Sequence, residues 1–213
     1  MCRLLLIRDT HEFAIADHLR PFADIARHSK EYQGHGWGCG YLRNGQWHLY
    51  KTVRPIWEDD LARFGNTRLL IAHARSAFQN RGIVVDNNMP FFDGQWMFAF
   101  NGELRGVKIR ENGRTGAEKI FHLFRRLDRG DPQASLQKAA TLLERRTRYI
   151  RAMNLIMTDG RQTLVMCHYN EDPDYFTLRY RQTGEQRIVC SEPYPGEMDW
   201  QPMKNKHIEV ISC

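Results

Sequence analysis

The stretch Gln95-Trp96-Met97-Phe98-Ala99-Phe100-Asn101-Gly102, followed by Thr115-Gly116-Ala117-Glu118-Lys119-Ile120-Phe121-His122-Leu123-Phe124-Arg125-Arg126-Leu127, is where the hydrophobic pattern of the chain changes period. The first run is short, aromatic and continuous, the mark of a buried strand, and it ends at Asn101-Gly102. In the second, Ile120, Leu123, Phe124 and Leu127 recur at helical spacing, and Thr115 with Glu118 three residues on forms a capping box. Asp131-Pro132 starts a second helix with an apolar stripe of Leu136, Ala139, Ala140 and Leu143.

Strand signals surround this helical pair. On the N-terminal side they cover residues 3–8, 37–43, 46–53 and 68–74, with Arg43-Asn44-Gly45 as a hairpin turn and a short helix from Pro21 to His28. Residues 79–94 read as a surface loop. On the C-terminal side strands fall near 152–158, 162–169, 175–181 and 187–191, separated by Asp159-Gly160, Asp172-Pro173 and Thr183-Gly184. The tail from Pro193 reads as loop with one short strand near 207–211. Antiparallel strands, two central helices and more antiparallel strands indicate an α+β fold with helices covering packed sheets. The β-α-β alternation of a parallel sheet is absent, as are a G-x-G-x-x-G and a P-loop, so no nucleotide cofactor is expected.

With 213 residues and no linker, repeat or low-complexity run, a single domain spanning 1–213 is expected. Hydrophobic residues at 42% and charged residues at 26% exclude disordered and fibrous classes. No apolar run approaches the ~20 residues of a membrane span. Leu4-Leu5-Leu6-Ile7 is too short for a signal-peptide core. Five cysteines without a C-x-x-C argue against a disulfide framework and for a reducing cytoplasm. His28, His35 and Cys39 match no zinc spacing, so no metal is expected.

The formal charge of +6 raises nucleic acid as a partner. Arg125, Arg126, Arg129, Arg145, Arg146, Arg148 and Arg151 cluster on and after the two helices, but Asp128, Asp131 and Glu144 interleave with them. A solvated or subunit-facing surface explains that pattern better than a nucleic-acid groove.

Three features carry possible chemistry. Cys2 follows only the initiator Met, and removal of that Met would leave a thiol and a free α-amine on one residue. Their ordinary pKa values, about 8.5 and about 7.7–8.0, make a nucleophile and a base poised near neutrality. An ordinary buried cysteine is the competing reading. Asn101-Gly102 reads either as a hairpin turn or as an amide and a backbone N–H placed to form an oxyanion hole. Arg75, after His73-Ala74 at a strand end, could clamp a carboxylate with two parallel hydrogen bonds or make a surface ion pair.

Together with Met1-Cys2-Arg3-Leu4-Leu5, the motifs Gly36-Trp37-Gly38-Cys39-Gly40-Tyr41, Ala72-His73-Ala74-Arg75, Asn87-Asn88-Met89-Pro90-Phe91 and Phe98-Ala99-Phe100-Asn101-Gly102-Glu103-Leu104 resemble, in order, the class II glutamine amidotransferases, closest to the small stand-alone branch. The resemblance implies a four-layer αββα N-terminal-nucleophile hydrolase sandwich. It implies cleavage of a small-molecule γ-glutamyl amide through a Cys2 thioester, with no cofactor. Arg75 would hold the substrate α-carboxylate, and the Asn101 side chain and Gly102 N–H the oxyanion. Trp37, Gly38 and His73 would shape the pocket. Ammonia released by such an enzyme would pass to a partner synthase or to water, and the chain could pair with a second copy of itself.

The departures fall at one end of the implied pocket. The family helix begins Thr-Asp-Ser-Glu, its aspartate binding the substrate ammonium, whereas here Thr115-Gly116-Ala117-Glu118 puts glycine at that position. Met89 and Phe100 stand where the stand-alone branch has histidine. A different γ-glutamyl or amide substrate, a substitute carboxylate such as Glu118 or Glu111, or an inactive homologue acting as a binding or scaffold protein would each account for this.

Overall fold

The computed structural model describes residues 1–212. In chain order the elements are β1 (Arg3–Ala14), α1 (Ile15–His28), β2 (Trp37–Arg43), β3 (Gln46–Thr52), β4 (Asn66–Ala74), β5 (Phe91–Phe92), β6 (Met97–Val107), α2 (Gly116–Leu127), α3 (Pro132–Arg146), β7 (Thr147–Thr158), β8 (Gln162–Cys167), α4 (Pro173–Phe176), β9 (Arg179–Thr183), β10 (Gln186–Cys190), β11 (Gln201–Pro202) and β12 (His207–Ser212). They form a seven-stranded sheet, β11-β9-β10-β1-β4-β2-β3, and a five-stranded sheet, β12-β8-β7-β6-β5. Neighbouring strands pair antiparallel throughout.

Strand alternation sorts the layers. On β1, Leu5 and Ile7 face α1 and pack with Leu19 and Phe22, while Leu4 and Leu6 face the second sheet and share a core with Met97, Ala99 and Ile156. On β6, Phe98 stacks on Phe121 of α2 with ring centroids 5.0 Å apart. Met97 on the opposite face meets Gly40 of β2 across the gap between the sheets. The order is therefore α1, first sheet, second sheet, α2 with α3. This is the expected α+β arrangement of two antiparallel sheets between helical layers.

Several local expectations are corrected. β1 continues to Ala14 and α1 starts at Ile15, so Pro21 sits inside the helix instead of opening it. An interior proline loses a hydrogen bond and costs about 3 kcal/mol of propensity, but Ile15, Leu19, Phe22 and Ile25 lie buried along one stripe that spans it. β7 begins at Thr147, and residues 175–181 divide into the end of α4 and the start of β9. The 79–94 segment contains β5, and Gln201–Pro202 adds a short edge strand to the tail.

The largest correction concerns Asn101-Gly102, which is neither a turn nor a strand end. β6 runs through it, with Asn101 opposite Asn154 and Gly102 opposite Met153. A two-residue hairpin of the Asn-Gly type needs positive φ at both residues. Asn44 and Gly45 have it, at 51° and 74°, whereas Asn101 and Gly102 do not.

Candidate active site

Cys2 immediately precedes β1. Its Sγ lies 3.4 Å from the Ser76 N–H, which donates to it, and 3.6 Å from the Ser76 carbonyl oxygen. Ser76 follows Arg75 just beyond β4, the neighbour of β1, so strand pairing sets this contact. Burial pushes the thiol pKa up, opposed by the Met1 ammonium, the Ser76 N–H and the Arg75 cation. The Met1 ammonium pairs with the Glu31 carboxylate, which also meets Arg151 Nη1 at 3.2 Å. Burial alone would raise the Glu31 carboxyl; these two cations outweigh it and hold it below its ordinary value.

Arg75 is buried and fixed on two sides: Nη1 donates to Asn88 Oδ1 at 2.9 Å and Nη2 to the Gly82 carbonyl at 2.8 Å. Asn88 in turn donates to the Thr52 carbonyl at 2.6 Å. Gly36 makes this packing possible. Its φ is +112°, and a Cβ there would stand 2.2 Å from Asn88 Nδ2 and 2.4 Å from the Thr52 oxygen. Beside Arg75, His35 Nδ1 accepts from Ala77 N–H at 2.9 Å, and burial followed by the Arg75 cation lowers its pKa.

His73 pairs across β4 with Gly38 on one side and Leu4 on the other, so all three share the face toward the second sheet. It is fully buried, and neither ring nitrogen reaches hydrogen-bond geometry. Burial, then the Arg75 cation, lowers its pKa to about 3, against a weaker pull from the Phe100 backbone. It is a neutral imidazole. A Cβ on Gly38 would stand 2.6 Å from the Met89 carbonyl oxygen, and Met89 Sδ accepts from the Phe100 N–H at 3.3 Å. Trp37 does not join this group. It lies on the other face of β2, under α1, with its indole N–H on Asp59 at 2.9 Å.

By the same alternation that turns Met97 to the first sheet, Asn101 faces it too, as Leu4 faces back from β1. The chain start reaches this region: Met1 packs against Ala152, Tyr175 and Phe176, and Ala152 lies two residues along β7 from Asn154, the cross-strand partner of Asn101. Asn101 is 1% exposed, and both its amide nitrogen and its amide oxygen are buried without a partner in the protein. Gly102 is backed so closely by β7 that a Cβ would stand 2.2 Å from the Ala152 carbonyl oxygen.

At the other end, Glu118 accepts from the Arg114 backbone N–H at 2.5 Å and from its guanidinium at 2.6 Å. Arg114 reaches Asp86 at 3.3 Å as well. Glu111 pairs with Arg126 at 2.5 Å. A side chain added at Gly116 would meet open space. Among the described residues no group of His, Cys, Asp or Glu could hold a metal ion, and no helix is long and apolar enough to cross a membrane.

A family model for class II glutamine amidotransferases matches residues 1–207. The chain belongs to this family. Class II glutamine amidotransferases are enzymes acting on small-molecule glutamine or γ-glutamyl substrates. The chain is 27% identical to the putative glutamine amidotransferase YafJ of Escherichia coli K12, over 78% of this chain and 80% of that one. It is 24% identical to the γ-glutamyl-hercynylcysteine sulfoxide hydrolase of Mycolicibacterium smegmatis, over 81% and 75%. A glutamine aminotransferase class-II domain protein from Silicibacter pomeroyi superposes with a TM-score of 0.70 at 18% identity, covering 100% of this chain and 95% of that one. The fold is that of the N-terminal-nucleophile hydrolases.

Sequence reading named no role for Asn88, Ser76, Glu31, Gln33 or Tyr175. Asn88 stands inside a motif that carried the resemblance, so a buried asparagine beside the arginine strand was a usable signal. The others come together only through the fold.

Proposed function

We propose that this class II glutamine amidotransferase hydrolyses a γ-glutamyl amide through Cys2 as the first residue of the mature chain. Cys2 Sγ attacks the γ-carbonyl carbon while its proton passes to the Cys2 α-amine. The Asn101 amide nitrogen and the Gly102 N–H stabilise the tetrahedral oxyanion, each donor contributing about 3 kcal/mol in the transition state. The amine returns the proton to the leaving nitrogen, and the C–N bond breaks to leave a γ-glutamyl thioester. Water, deprotonated by the same amine, attacks the thioester and releases a carboxylic acid and the free thiol. Arg75, pre-oriented by Asn88 and Gly82, receives the substrate α-carboxylate.

The observation that carries this reading is the buried amide of Asn101. A native interior pairs its polar groups, and an orphaned one costs about 1–3 kcal/mol. An oxyanion forming beside it would supply the missing acceptor.

The substrate is a γ-glutamyl amide whose α-amino end makes no ion pair with this pocket. Position 116 offers no carboxylate to an ammonium group, and Glu118 and Glu111 are both engaged by arginines. Losing an ion pair to a buried ammonium costs several kcal/mol, a penalty that falls on glutamine and on every other γ-glutamyl amide with a free α-amine, and that is escaped when this amine is acylated or absent. The hydrolase name of the Mycolicibacterium relative supports the γ-glutamyl amide class as such. A reducing compartment suits the free thiols of Cys2, Cys39, Cys167 and Cys190, and we place the protein in the cytoplasm. A panel of γ-glutamyl amides with altered α-amino groups tests the reading, with Cys2→Ala as control. Turnover of an amide whose α-amino group is acylated or absent above that of glutamine is expected. Equal silence across the panel in a chain that begins at Cys2 would contradict it and favour a binding protein.

A further inference from the structure

Gln33, in the segment between α1 and β2, is fully buried, and its amide is used on one side only. Nε2 donates to the Met1 carbonyl oxygen at 2.5 Å and to the Glu31 carbonyl oxygen at 2.8 Å, while Oε1 has no partner. Tyr175 Oη donates to the same Met1 oxygen at 2.9 Å, and the Arg3 guanidinium lies 3.9 Å from the centroid of the tyrosine ring. Two buried donors thus converge on one carbonyl.

That carbonyl oxygen and the Cys2 nitrogen are ends of a single peptide unit, about 2.2 Å apart. Loss of Met1 removes the acceptor and turns the neighbouring Cys2 nitrogen into a free α-amine. That amine brings new N–H donors one peptide unit from the atom Gln33 Nε2 now touches, while Gln33 Oε1 is a buried carbonyl that lacks a donor.

We infer that Gln33 is the positioning residue for the Cys2 α-amine in the mature chain: Oε1 accepts an amine N–H and so turns the nitrogen lone pair toward Sγ. This rests on the reading above that Cys2 becomes the first residue. A primary amine on a single bond rotates freely, and only one of its rotamers presents the lone pair to the thiol. Gln33 fixes that rotamer and touches neither the sulfur nor the substrate. The charged groups facing the amine are Glu31, Arg151 behind it, and Arg75. His35 and His73 are held below their ordinary pKa and Tyr175 above its own, so all three are neutral at pH 7. None of these differs between variants at position 33.

The test uses the full chain released from a fusion so that Cys2 comes first, with 13C-labelled cysteine, and follows amine titration through the Cys2 carbon shifts. Gln33→Glu is expected to raise the amine midpoint by about one unit or more, because a carboxylate in contact favours the ammonium form. Gln33→Leu is expected to lower it, because a hydrogen bond to the charged form is lost. Both variants should lower kcat while leaving KM within about twofold. If Gln33→Leu does not fold, a crystal structure of the mature wild-type chain decides the point. Oε1 within about 3.2 Å of the Cys2 nitrogen supports the inference, and a longer separation overturns it. Midpoints coinciding in all three chains also overturn it. A mature wild-type chain that neither turns over γ-glutamyl amides nor reacts at Cys2 counts instead against the amidohydrolase reading, and leaves the titration contrast standing.

Discussion

Asn101 and Asn154 face each other across β6 and β7, in register, both buried. Asn154 is saturated: its Nδ2 donates to the Phe176 carbonyl at 2.6 Å, and its Oδ1 accepts from the His168 N–H at 2.8 Å. Asn101, one strand away, has no partner for either atom. The same amide is placed at the same depth in the same sheet with opposite outcomes. Asn154 fastens α4 and the end of β8 to the sheet, while Asn101 waits on something from outside the chain. Buried amides that hold a fold together are satisfied by it; one that serves a reaction is left open by it.

The sharpest way to break this contrast is through its chemical partner. Cys2→Ala should abolish turnover of γ-glutamyl amides with the unfolding midpoint unchanged, read by product assay alongside thermal melting. Asn101→Ala should reduce kcat about a hundredfold or more. Because it removes two unpaired groups, it should leave stability level or slightly higher. Asn154→Ala should do the reverse. It orphans the His168 N–H and leaves the Phe176 carbonyl only the Cys167 thiol at 4.0 Å, at about 1–3 kcal/mol each, and lowers the urea midpoint while retaining turnover in the folded fraction. A large activity loss in Asn154→Ala with no loss of stability would erase the distinction.

Two smaller effects refine it. Arg75→Lys should raise KM about tenfold with a lesser change in kcat, since lysine cannot replace a two-pronged contact with a carboxylate, and steady-state kinetics reads this directly. His73, like Asn101, is a buried polar side chain without a partner, and it is accommodated by staying neutral. Its pKa is about 3 in the fold against about 6.5 unfolded, so the unfolded chain takes up the proton first as pH falls. Stability from this source is intact above about pH 6.5 and declines toward pH 3. Between pH 7 and 6 the loss is below about 1 kcal/mol and should be absent in His73→Leu, as measured by urea unfolding at the two pH values.

Where local signals and long-range packing agree, the sequence was readable. Thr115 caps α2, accepting from the Glu118 N–H at 3.1 Å, and Asp131 caps α3 through the Ala134 N–H at 2.9 Å. Asn44-Gly45 makes the expected turn. At Asn101-Gly102 the local preference for a turn yields to a ladder with β7 that continues on both sides of the pair. The Glu118 carboxylate reaches Arg114 N–H instead of completing a capping box on Thr115. The surroundings of the chain start were not readable at all. Glu31, Gln33, Arg151 and Tyr175 lie far from Met1 in sequence and carry no local pattern, so only sheet pairing and the docking of α4 bring them together.

The most direct measurement is covalent labelling of the mature chain with a glutamine-like diazoketone, followed by intact mass and peptide mapping. One adduct on Cys2 Sγ, in a polypeptide lacking Met1, is the expected result, with none in Cys2→Ala. A folded chain that begins at Cys2 and takes up the label on another residue, or takes up none, contradicts the assignment of the reaction to its first residue.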